Sequence, residues 1–399
     1  MVKAHRDCFN VSVAEKLRWF KAATWNGELG FQARLALKDL LENSLKEEAK
    51  RQLGGVEPYE RSERRTDQRN GYYTRELDTP LGAIRHLHVP RLRGGSFEPH
   101  VFERYQRRQV EVNEAIVDMF CHGVSTRRVG ECLEGLAGTP VSASTVSEVS
   151  KVLDGHVRAY HRRPLSDRYC YLLLDAITLR SKGPQGANKV LVLTAFGITH
   201  EGQRELVDFR QARSESEVEW TRFLESLRRR GLQGDKLELV TTDGAPGLIA
   251  ALDLVYPALP RQRCWVHKLR NVSNKLRKSN RDACLQEAKG IYLAPNRTLA
   301  TRRFRDWKLH WEAVEPKAVA CLANDIEDLL LIFDLPENHR RLVRTTNPIE
   351  RSFREVRRRT RPISCFNNPA SIDRIVYAVF AHLNANWEKH PIRDFTQNT

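Results

Sequence analysis

The sequence lacks any apolar run long enough to span a bilayer, and its first residues contain no apolar segment of the kind found in secretion signals. It has no Cys-x-x-Cys pair, no internal repeat and no low-complexity tract. Its 8 cysteines are scattered over 399 residues, a pattern typical of reduced thiols rather than of a disulfide framework. We therefore expect a cytoplasmic protein with no membrane partner.

Positive charge is abundant. The 66 lysines and arginines exceed the 50 aspartates and glutamates, and the pI is about 9.6. Such an excess favours a polyanionic partner, because neutralising phosphates releases bound counterions. A basic surface that serves only solubility is the alternative. The hydrophobic content of 41% is enough for a sizeable core, and the length allows two to four domains.

Residues 1–55 are predicted to be mainly helical. Leucines between Leu35 and Leu53 recur with a period near 3.6 residues, and Gly54-Gly55 predicts the end of the helix. Packing into a core is the simplest role for such a helix, and dimerisation is the alternative.

Residues 56–109 form a basic segment with several turn signals. Short strands at 72–77 and 83–89 predict a β-hairpin, in which Arg69 and Tyr72 are candidate DNA contacts. A hairpin whose arginines face only solvent fits the same pattern. The turn signals are Asn70-Gly71, Pro80-Leu81-Gly82 and Gly94-Gly95.

Residues 110–160 are predicted to contain a DNA-binding unit that resembles a helix-turn-helix. Ser125 or Thr126 would cap its second helix, and residues 142–147 begin the third. The same pattern occurs in helical hairpins that bind no DNA. The candidate contacts to DNA are Arg127, Arg128, Ser144, Thr145 and Lys151.

A region follows in which strands alternate with helices, which predicts an α/β domain with a mixed, five-stranded sheet. Ser214 and Glu217 resemble a capping box for a helix that runs to about Arg230. The first four strands are predicted at 171–179, 189–197, 203–209 and 237–242.

Two aspartates occupy unusual places in these strands. Asp175 lies within an apolar run, where a charge is costly unless it is paired or bound to a metal. Asp243 ends the fourth strand and precedes Gly244. A buried salt bridge from Asp175 to Arg180 and a simple turn at Asp243 are the alternatives.

A third acid, Glu350, opens a basic amphipathic helix predicted at 345–361. Three carboxylates suit Mg²⁺, for which Mn²⁺ substitutes, and a pair of such ions promotes in-line displacement at phosphorus. An acid inside the first strand and another after the fourth match the RNase H fold. Arginines of the same helix are expected to face phosphates: Arg351, Arg354, Arg357 and Arg358.

Several segments resemble the Mutator family of bacterial insertion-sequence transposases, in order from about residue 55 to residue 388. The segments that carry the resemblance are Tyr59–Ser62, Arg69–Tyr72, Gly123–Arg127, Asp243–Leu248, Gln262–Asn271 and Thr345–Arg351. The resemblance implies a D-D-E transposase that binds the terminal inverted repeats of its element and joins 3′ ends to target DNA. It also implies that Asp175, Asp243 and Glu350 are the catalytic and metal-binding residues.

Asp243 and Glu350 are 107 residues apart, more than an uninterrupted core needs. We therefore predict an all-helical insertion at 276–340. Trp307 and Trp311 are predicted to pack in its core, and stacking of their rings on a DNA base is the alternative.

Cys264 and His267 have the spacing of half a zinc site, but no second pair follows at suitable spacing. We interpret them, together with Asn347, as residues that shape the acid site.

The predicted fold is an RNase H-like mixed sheet with an all-helical insertion, preceded by a mainly helical DNA-binding region with a small β element. The predicted enzyme is a nucleoid-associated homodimer that acts on double-stranded DNA. A structure-specific nuclease of the same fold and a non-catalytic DNA-binding descendant of a transposase are the alternatives. The predicted boundaries are 1–55, 56–109, 110–160, 165–275 with 341–388, 276–340, and a tail at 389–399.

Overall fold

The structure is a computed structural model that divides the chain into two compact units. The first unit ends at Val152 and the second begins at Leu153. Among the described residues, no helix is long and apolar enough to cross a membrane. The part of the predicted N-terminal helix before residue 26 and most of the predicted tail lie outside the described residues. The structure describes residues 26–95, 97–103, 106–137, 141–183, 186–363, 365–392 and 395.

The first unit joins a long helix to a β-hairpin and to a group of shorter helices. Its described elements are α1 (Asn26–Gln52), β1 (Arg69–Thr79), β2 (Gly82–Leu92), α2 (Val110–Cys121), α3 (Thr126–Ala137), α4 (Ala143–Val149) and a 3₁₀ turn (Ser150–Val152).

The helix α1 packs on the hairpin through one apolar face. Leu41 and Leu45 are buried in a cluster with Leu87 of β2, whereas Leu40 is exposed. Asn70-Gly71, predicted as a turn, instead lies within β1, where the register shifts and Gly71 has a φ of 74°. Glycine tolerates this left-handed backbone, so the strand bulges there without ending.

The short helices form a small core of their own. Ile116, Val129 and Val146 are buried together in one apolar cluster. The hydroxyl of Ser125 accepts the backbone N–H of Arg128 at 3.4 Å, as the capping prediction requires. The cap of α4 is Ser142, whose hydroxyl accepts the N–H of Thr145 at 3.1 Å.

The second unit is built on a five-stranded sheet with helices on both faces. Its strands are β3 (Tyr169–Gly183), β4 (Gly186–Thr199), β5 (Arg204–Ala212), β6 (Leu239–Thr242) and β7 (Arg261–Arg263). Its described helices are α5 (Leu153–Arg162), α6 (Glu217–Arg229), α7 (Pro246–Val255), α8 (Trp265–Ser273), α9 (Arg281–Tyr292), α10 (Arg297–Trp311), α11 (Pro316–Ala323), α12 (Ile326–Leu330), a 3₁₀ turn (Leu331–Asp334), α13 (Glu337–Val343), α14 (Asn347–Thr360) and α15 (Pro369–Glu388).

The strands are ordered β5-β4-β3-β6-β7 across the sheet. The pairs β5–β4 and β4–β3 are antiparallel, whereas β3–β6 and β6–β7 are parallel. The central strand β3 alternates its apolar side chains between two layers of helices, which explains its continuous apolar run. Leu172 and Leu174 share a core with α6 and α7. The mixed, five-stranded α/β sheet predicted from the sequence is therefore confirmed.

The predicted capping box at Ser214 and Glu217 is wrong. Helix α6 begins at Glu217, and its cap is Ser216, whose hydroxyl accepts the N–H of Glu219 at 3.5 Å. Ser216 has the extended backbone that a cap residue needs, with a ψ of 158°.

The residues between α8 and α13 are helical and pack around tryptophans. Trp307 and Trp311 are 2% and 7% exposed. Their indole N–H groups donate to the carbonyl of Cys284 at 3.1 Å and to the carboxylate of Glu287 at 2.9 Å. Both rings are thus core residues, and the alternative that they stack on a DNA base is wrong.

Candidate active site

The acids Asp175 and Asp243 are brought together by strand pairing. In the parallel pair β3–β6, Leu174 lies opposite Thr242, and each acid directly follows one of these partners. Adjacent strands are about 4.8 Å apart. The two carboxylates therefore leave the sheet side by side, although Asp175 and Asp243 are 68 positions apart in the sequence.

Asp175 is a buried acid, with 8% of its surface exposed. Burial raises the pKa of its carboxyl to about 6, and the charge of Asp243 adds to this effect. The N–H of Ala176, 2.8 Å from Oδ1, opposes the rise, as does the charge of His267. Among the described residues no ion pair joins Asp175 to Arg180, which is exposed, so that alternative is wrong. The two side chains lie on opposite faces of β3.

Asp243 stands in a tight turn between β6 and α7. Its Oδ1 accepts the N–H of Ala245 at 2.9 Å. Gly244 has a φ of 85°, and a Cβ at this position would lie 2.5 Å from the guanidinium of Arg263. The left-handed backbone favours glycine here, whereas the guanidinium is the end of a flexible side chain that can shift.

Glu350 is placed by the segment that leads into α14, which three hydrogen bonds join to β6 and to the start of α8. The hydroxyl of Thr241 donates to the carbonyl of Val343 at 2.6 Å. The N–H of Trp265 donates to the carbonyl of Arg344 at 3.1 Å. These bonds fix the first turn of α14 beside β6 and β7. The third bond runs from the N–H of Thr346 to Sγ of Cys264 at 3.4 Å.

His267 lies among all three acids. Its Nε2 is 3.5 Å from Oε1 of Glu350, and the charges of Asp175 and Asp243 both act on it. The hydrogen bond with Cys264 is the largest effect on the ring, and with the acids it raises the pKa of His267 to about 9 in spite of burial. At neutral pH the ring is therefore an imidazolium that offsets part of the acidic charge.

Cys264 and Thr346 both contact His267. Burial by itself would raise the pKa of the Cys264 thiol, but the hydrogen bond and charge of His267 outweigh burial and lower it. The hydroxyl of Thr346 lies 3.5 Å from Nδ1 of His267 and 3.7 Å from Sγ of Cys264. Thr346 directly precedes α14, and its side chain makes no capping hydrogen bond to that helix.

The donor chemistry of the site fits a hard divalent cation, since three carboxylates gather at one end of the sheet. Asp175 and Asp243 lie close enough for their charges to interact, whereas Glu350 lies 3.5 Å from His267. Within the described part of the chain, no group of three or more His, Cys, Asp and Glu side chains is arranged to hold a metal ion. The three carboxylates are therefore of the chemical kind that a divalent cation needs, but Glu350 contacts His267.

An open cavity of about 650 Å³ lies beside Asp243 and contains Arg263 and Asn271 in its lining. Arg263 donates to Asp325 at 2.7 Å, and its Nε is buried without a hydrogen-bond partner. A neighbouring cavity of about 520 Å³ shares Arg263 and Asn271 and adds Lys275. Neither Arg263 nor Asn271 was singled out from the sequence, although both lie in the Gln262–Asn271 segment.

Comparison with known proteins decides the family. The profile described as "Transposase, Mutator family" matches residues 18–390. The chain belongs to the Mutator family of transposases. The family that the sequence motifs resembled is thereby confirmed.

The chain is similar to several transposases of insertion sequences. It is 37% identical to the transposase for insertion sequence element IS256 in transposon Tn4001 of Staphylococcus aureus, over 86% of this chain and 88% of the relative. It is 38% identical to the transposase for IS406 of Burkholderia multivorans, over 88% and 90%. It is 35% identical to the transposase for ISRM5 of Rhizobium meliloti, over 89% and 88%.

In this transposase, α14 carries Glu350 and the predicted arginines on its exposed side. Ile349, Phe353 and Val356 are buried, and helical geometry puts Arg354 and Arg357 on the same face as Glu350. Arg351 and Arg358 are exposed as well. Arg359 differs, because it donates to Glu355 at 2.6 Å. Asn347 is the first residue of the helix, and its N–H donates to Thr345 Oγ1 at 3.4 Å.

The other predicted DNA contacts belong to the first unit of the transposase. Arg127 and Arg128 are exposed at the start of α3. Lys151 pairs with Glu148 at 2.6 Å. The hydroxyls of Ser144 and Thr145 both contact that of Ser142, at 2.8 and 2.9 Å. Arg69 and Tyr72 line a separate cavity.

Proposed function

We propose that this transposase cuts DNA at the terminal inverted repeats of an insertion sequence and joins the 3′ ends to target DNA, with Asp175, Asp243 and Glu350 as a D-D-E triad. The observation that carries the proposal is the grouping of these acids around His267 at one end of the sheet. Grouping three carboxylates costs free energy through desolvation and mutual repulsion, so such a group indicates a functional role.

We infer that the second unit is an RNase H-like core interrupted by an insertion. Its sheet has three antiparallel strands followed by two parallel ones, and the first strand is central. One acid lies within that strand and the second directly after the fourth strand. The helices α9 to α12 fall between β7 and the helix that carries Glu350. This arrangement supports a core at 165–275 and 341–388 with an insertion at 276–340, whose predicted end falls within α13.

Asp175, Asp243 and Glu350 are the residues that would hold two Mg²⁺ ions, with Mn²⁺ as a substitute. Bound in this way, the metal would supply activation of the attacking oxygen and stabilisation of the leaving oxygen. The protein holds the first two oxygens ready through the β3–β6 register. It holds Glu350 nearby through the hydrogen bonds that anchor α14.

His267 positions Glu350 and limits the repulsion between the acids. Its imidazolium lies 3.5 Å from Glu350 and offsets the charges of Asp175 and Asp243. Cys264 keeps this ring charged, and Thr346 contacts its other nitrogen. We infer that His267, Cys264 and Thr346 together hold the acids in position.

DNA is the substrate that the surrounding charges suit. Arg354 and Arg357 extend from the same face as Glu350, and phosphates next to the cleaved bond would meet them there. Arg263, Asn271 and Lys275 continue a polar surface on the side of Asp243. In the first unit, exposed Arg127 and Arg128 support the proposal that 110–160 recognises the inverted repeat, with 56–109 contacting the backbone.

A transposase must hold two ends of its element together. We therefore propose a homodimer, in which residues 1–55 are the candidate dimerisation region. Its DNA substrate places its action at the nucleoid in the cytoplasm.

The test is a cleavage and joining assay on a labelled duplex that carries the repeat flanking the gene. Reactions contain Mg²⁺, Mn²⁺ or EDTA, and compare the wild type with Asp243→Asn. Asp253→Asn is the matched control, because Asp253 borders the same cavity but pairs with Arg261. We expect metal-dependent nicks at the repeat boundary and joined products, both absent from Asp243→Asn and present in Asp253→Asn.

Other outcomes separate the alternatives. Cleavage without joining, and without preference for the repeat, would identify a structure-specific nuclease. Repeat-specific binding with no cleavage by the wild type would identify a non-catalytic DNA-binding protein. Cleavage that persists in Asp243→Asn would show that the active site lies elsewhere.

A further inference from the structure

The first unit contains a cavity of its own, between α1 and the bulged end of the hairpin, with a volume of about 640 Å³. It is large enough for a single nucleotide and too small for a duplex. Glu47 and Glu57 also border it, so its walls offer acceptors as well as donors. The basic and aromatic residues in its lining are Lys46, Lys50, Arg65, Arg69, Tyr59 and Tyr72.

Tyr59 is held out from the protein at the edge of this cavity. It is 99% exposed and has a φ of 64°, a left-handed backbone that bulky side chains rarely adopt. The guanidinium of Arg65 secures the turn by donating to the carbonyls of Glu57 at 3.0 Å and Glu60 at 2.6 Å. A strained residue that is both fixed and fully exposed is typical of a contact surface.

Arg69 leaves a donor unused in the wall of the same cavity. Its Nη2 is 3.4 Å from the carbonyl of Val56, whereas Nη1 is buried and has no hydrogen-bond partner. An unsatisfied guanidinium nitrogen is costly unless a ligand completes it, and a phosphate oxygen is the acceptor that best suits it.

We propose that this cavity binds one unpaired nucleotide of DNA. Arg69 receives its phosphate, and the ring of Tyr59 stacks on its base. Tyr72, which is 52% exposed, also lines the cavity. An aromatic ring beside basic residues is the arrangement by which proteins hold unstacked bases. The inference rests on the proposed function only in taking DNA as the partner.

The experiment measures binding of the full-length protein to two fluorescein-labelled duplexes of one sequence. One duplex is fully paired, and the other carries a single unpaired 2-aminopurine. We expect about tenfold tighter binding of the second, because stacking on an aromatic ring contributes that order of affinity. The 2-aminopurine fluorescence should fall as its base stacks.

The variants assign the effect to the cavity. Tyr59→Ala should abolish the preference and the fluorescence change, whereas Tyr59→Phe should keep both. Arg69→Gln should weaken binding of the unpaired probe about fivefold more than that of the paired one. Arg85→Gln is the charge-matched control, because Arg85 is exposed on the same hairpin outside the cavity lining. It should affect both duplexes equally.

Equal binding of the two duplexes by the wild type would overturn the proposal, even with cleavage at the repeat intact. A preference that survives in Tyr59→Ala would overturn it too. A preference for the unpaired probe in a protein that cuts no DNA would support this site while contradicting the proposed reaction. Thermal unfolding of each variant checks that the exposed substitutions leave the fold unchanged.

Discussion

The two units of this transposase use charge in opposite ways. In the second unit, Asp175 is 8% exposed, and burial raises its pKa. In the first unit, Arg127 and Arg128 are exposed at the start of α3. A buried charge costs free energy, so its presence in an apolar strand indicates a role. An exposed arginine costs almost nothing and indicates a role only through its neighbours.

The strongest test of this comparison is Asp175→Asn. We expect cleavage to fall at least about 100-fold, since even residues that only support a metal ligand contribute about 10–100-fold. Stability should hold or rise, because a neutral amide replaces a buried charge beside Asp243. Initial cleavage rates and thermal midpoints measure both. Asp235→Asn, at an exposed position, is the control, and equal activity of the two variants would contradict the assignment.

His267→Gln should lower the cleavage rate about 10–100-fold, because the variant no longer holds Glu350 or offsets the acids. The matched control is His310→Gln, since His310 pairs with Glu287 at 3.0 Å within the helical insertion. Equal cleavage rates in both variants would show that His267 has no role in the reaction. The measurement is single-turnover cleavage at saturating protein.

The same histidine predicts a pH dependence of stability in the metal-free protein. Its folded pKa, about 9, lies above the ordinary 6.5, so its contribution is complete below pH 6.5 and is lost as pH rises through 9. The free energy of unfolding of the wild type should therefore exceed that of His267→Gln by at most about 3 kcal/mol at pH 6. This difference should shrink by pH 9.5. Urea unfolding at both pH values measures it. A difference that grows with pH would contradict the prediction.

Gly244→Ala should destabilise the protein by about 1–3 kcal/mol, because alanine is strained in the left-handed turn and the guanidinium of Arg263 would have to move. Displacement of Asp243 should lower cleavage as well. Gly155→Ala is the control, since nothing lies within 4 Å of a Cβ there in helix α5. That change should stabilise by about 0.5–1 kcal/mol. Chemical denaturation of both variants decides whether the turn is strained.

The smallest expected effect concerns the exposed charges. Arg354→Gln should weaken DNA binding a few-fold for every sequence and reduce the salt dependence by about one phosphate contact. Arg359→Gln should change binding less, because Arg359 is engaged by Glu355 on the same helix. Titrations at several salt concentrations measure the slope. Equal slopes for both variants would show that the exposed face of α14 does not contact phosphates.

Much of the second unit could be predicted from local patterns. The strands, the basic helix with Glu350 and the buried tryptophans follow from hydrophobic periodicity, which depends on neighbouring residues alone. Boundaries were less predictable, as the shift of the cap from Ser214 to Ser216 shows. Likewise, Asn70-Gly71 has the composition of a turn, but pairing with β2 holds it within a strand.

The sequence by itself determined which residues carry the unusual charges, because an acid in an apolar strand and arginines along one helical face are visible in the order of residues. Only the tertiary structure decided which of them meet. The β3–β6 register joins Asp175 to Asp243, and the Cys264–Thr346 contact brings Glu350 to His267. The cavity that Tyr59 and Arg69 line in the first unit likewise depends on α1 packing against the hairpin. Such contacts form between segments far apart in the chain, and no local pattern encodes them.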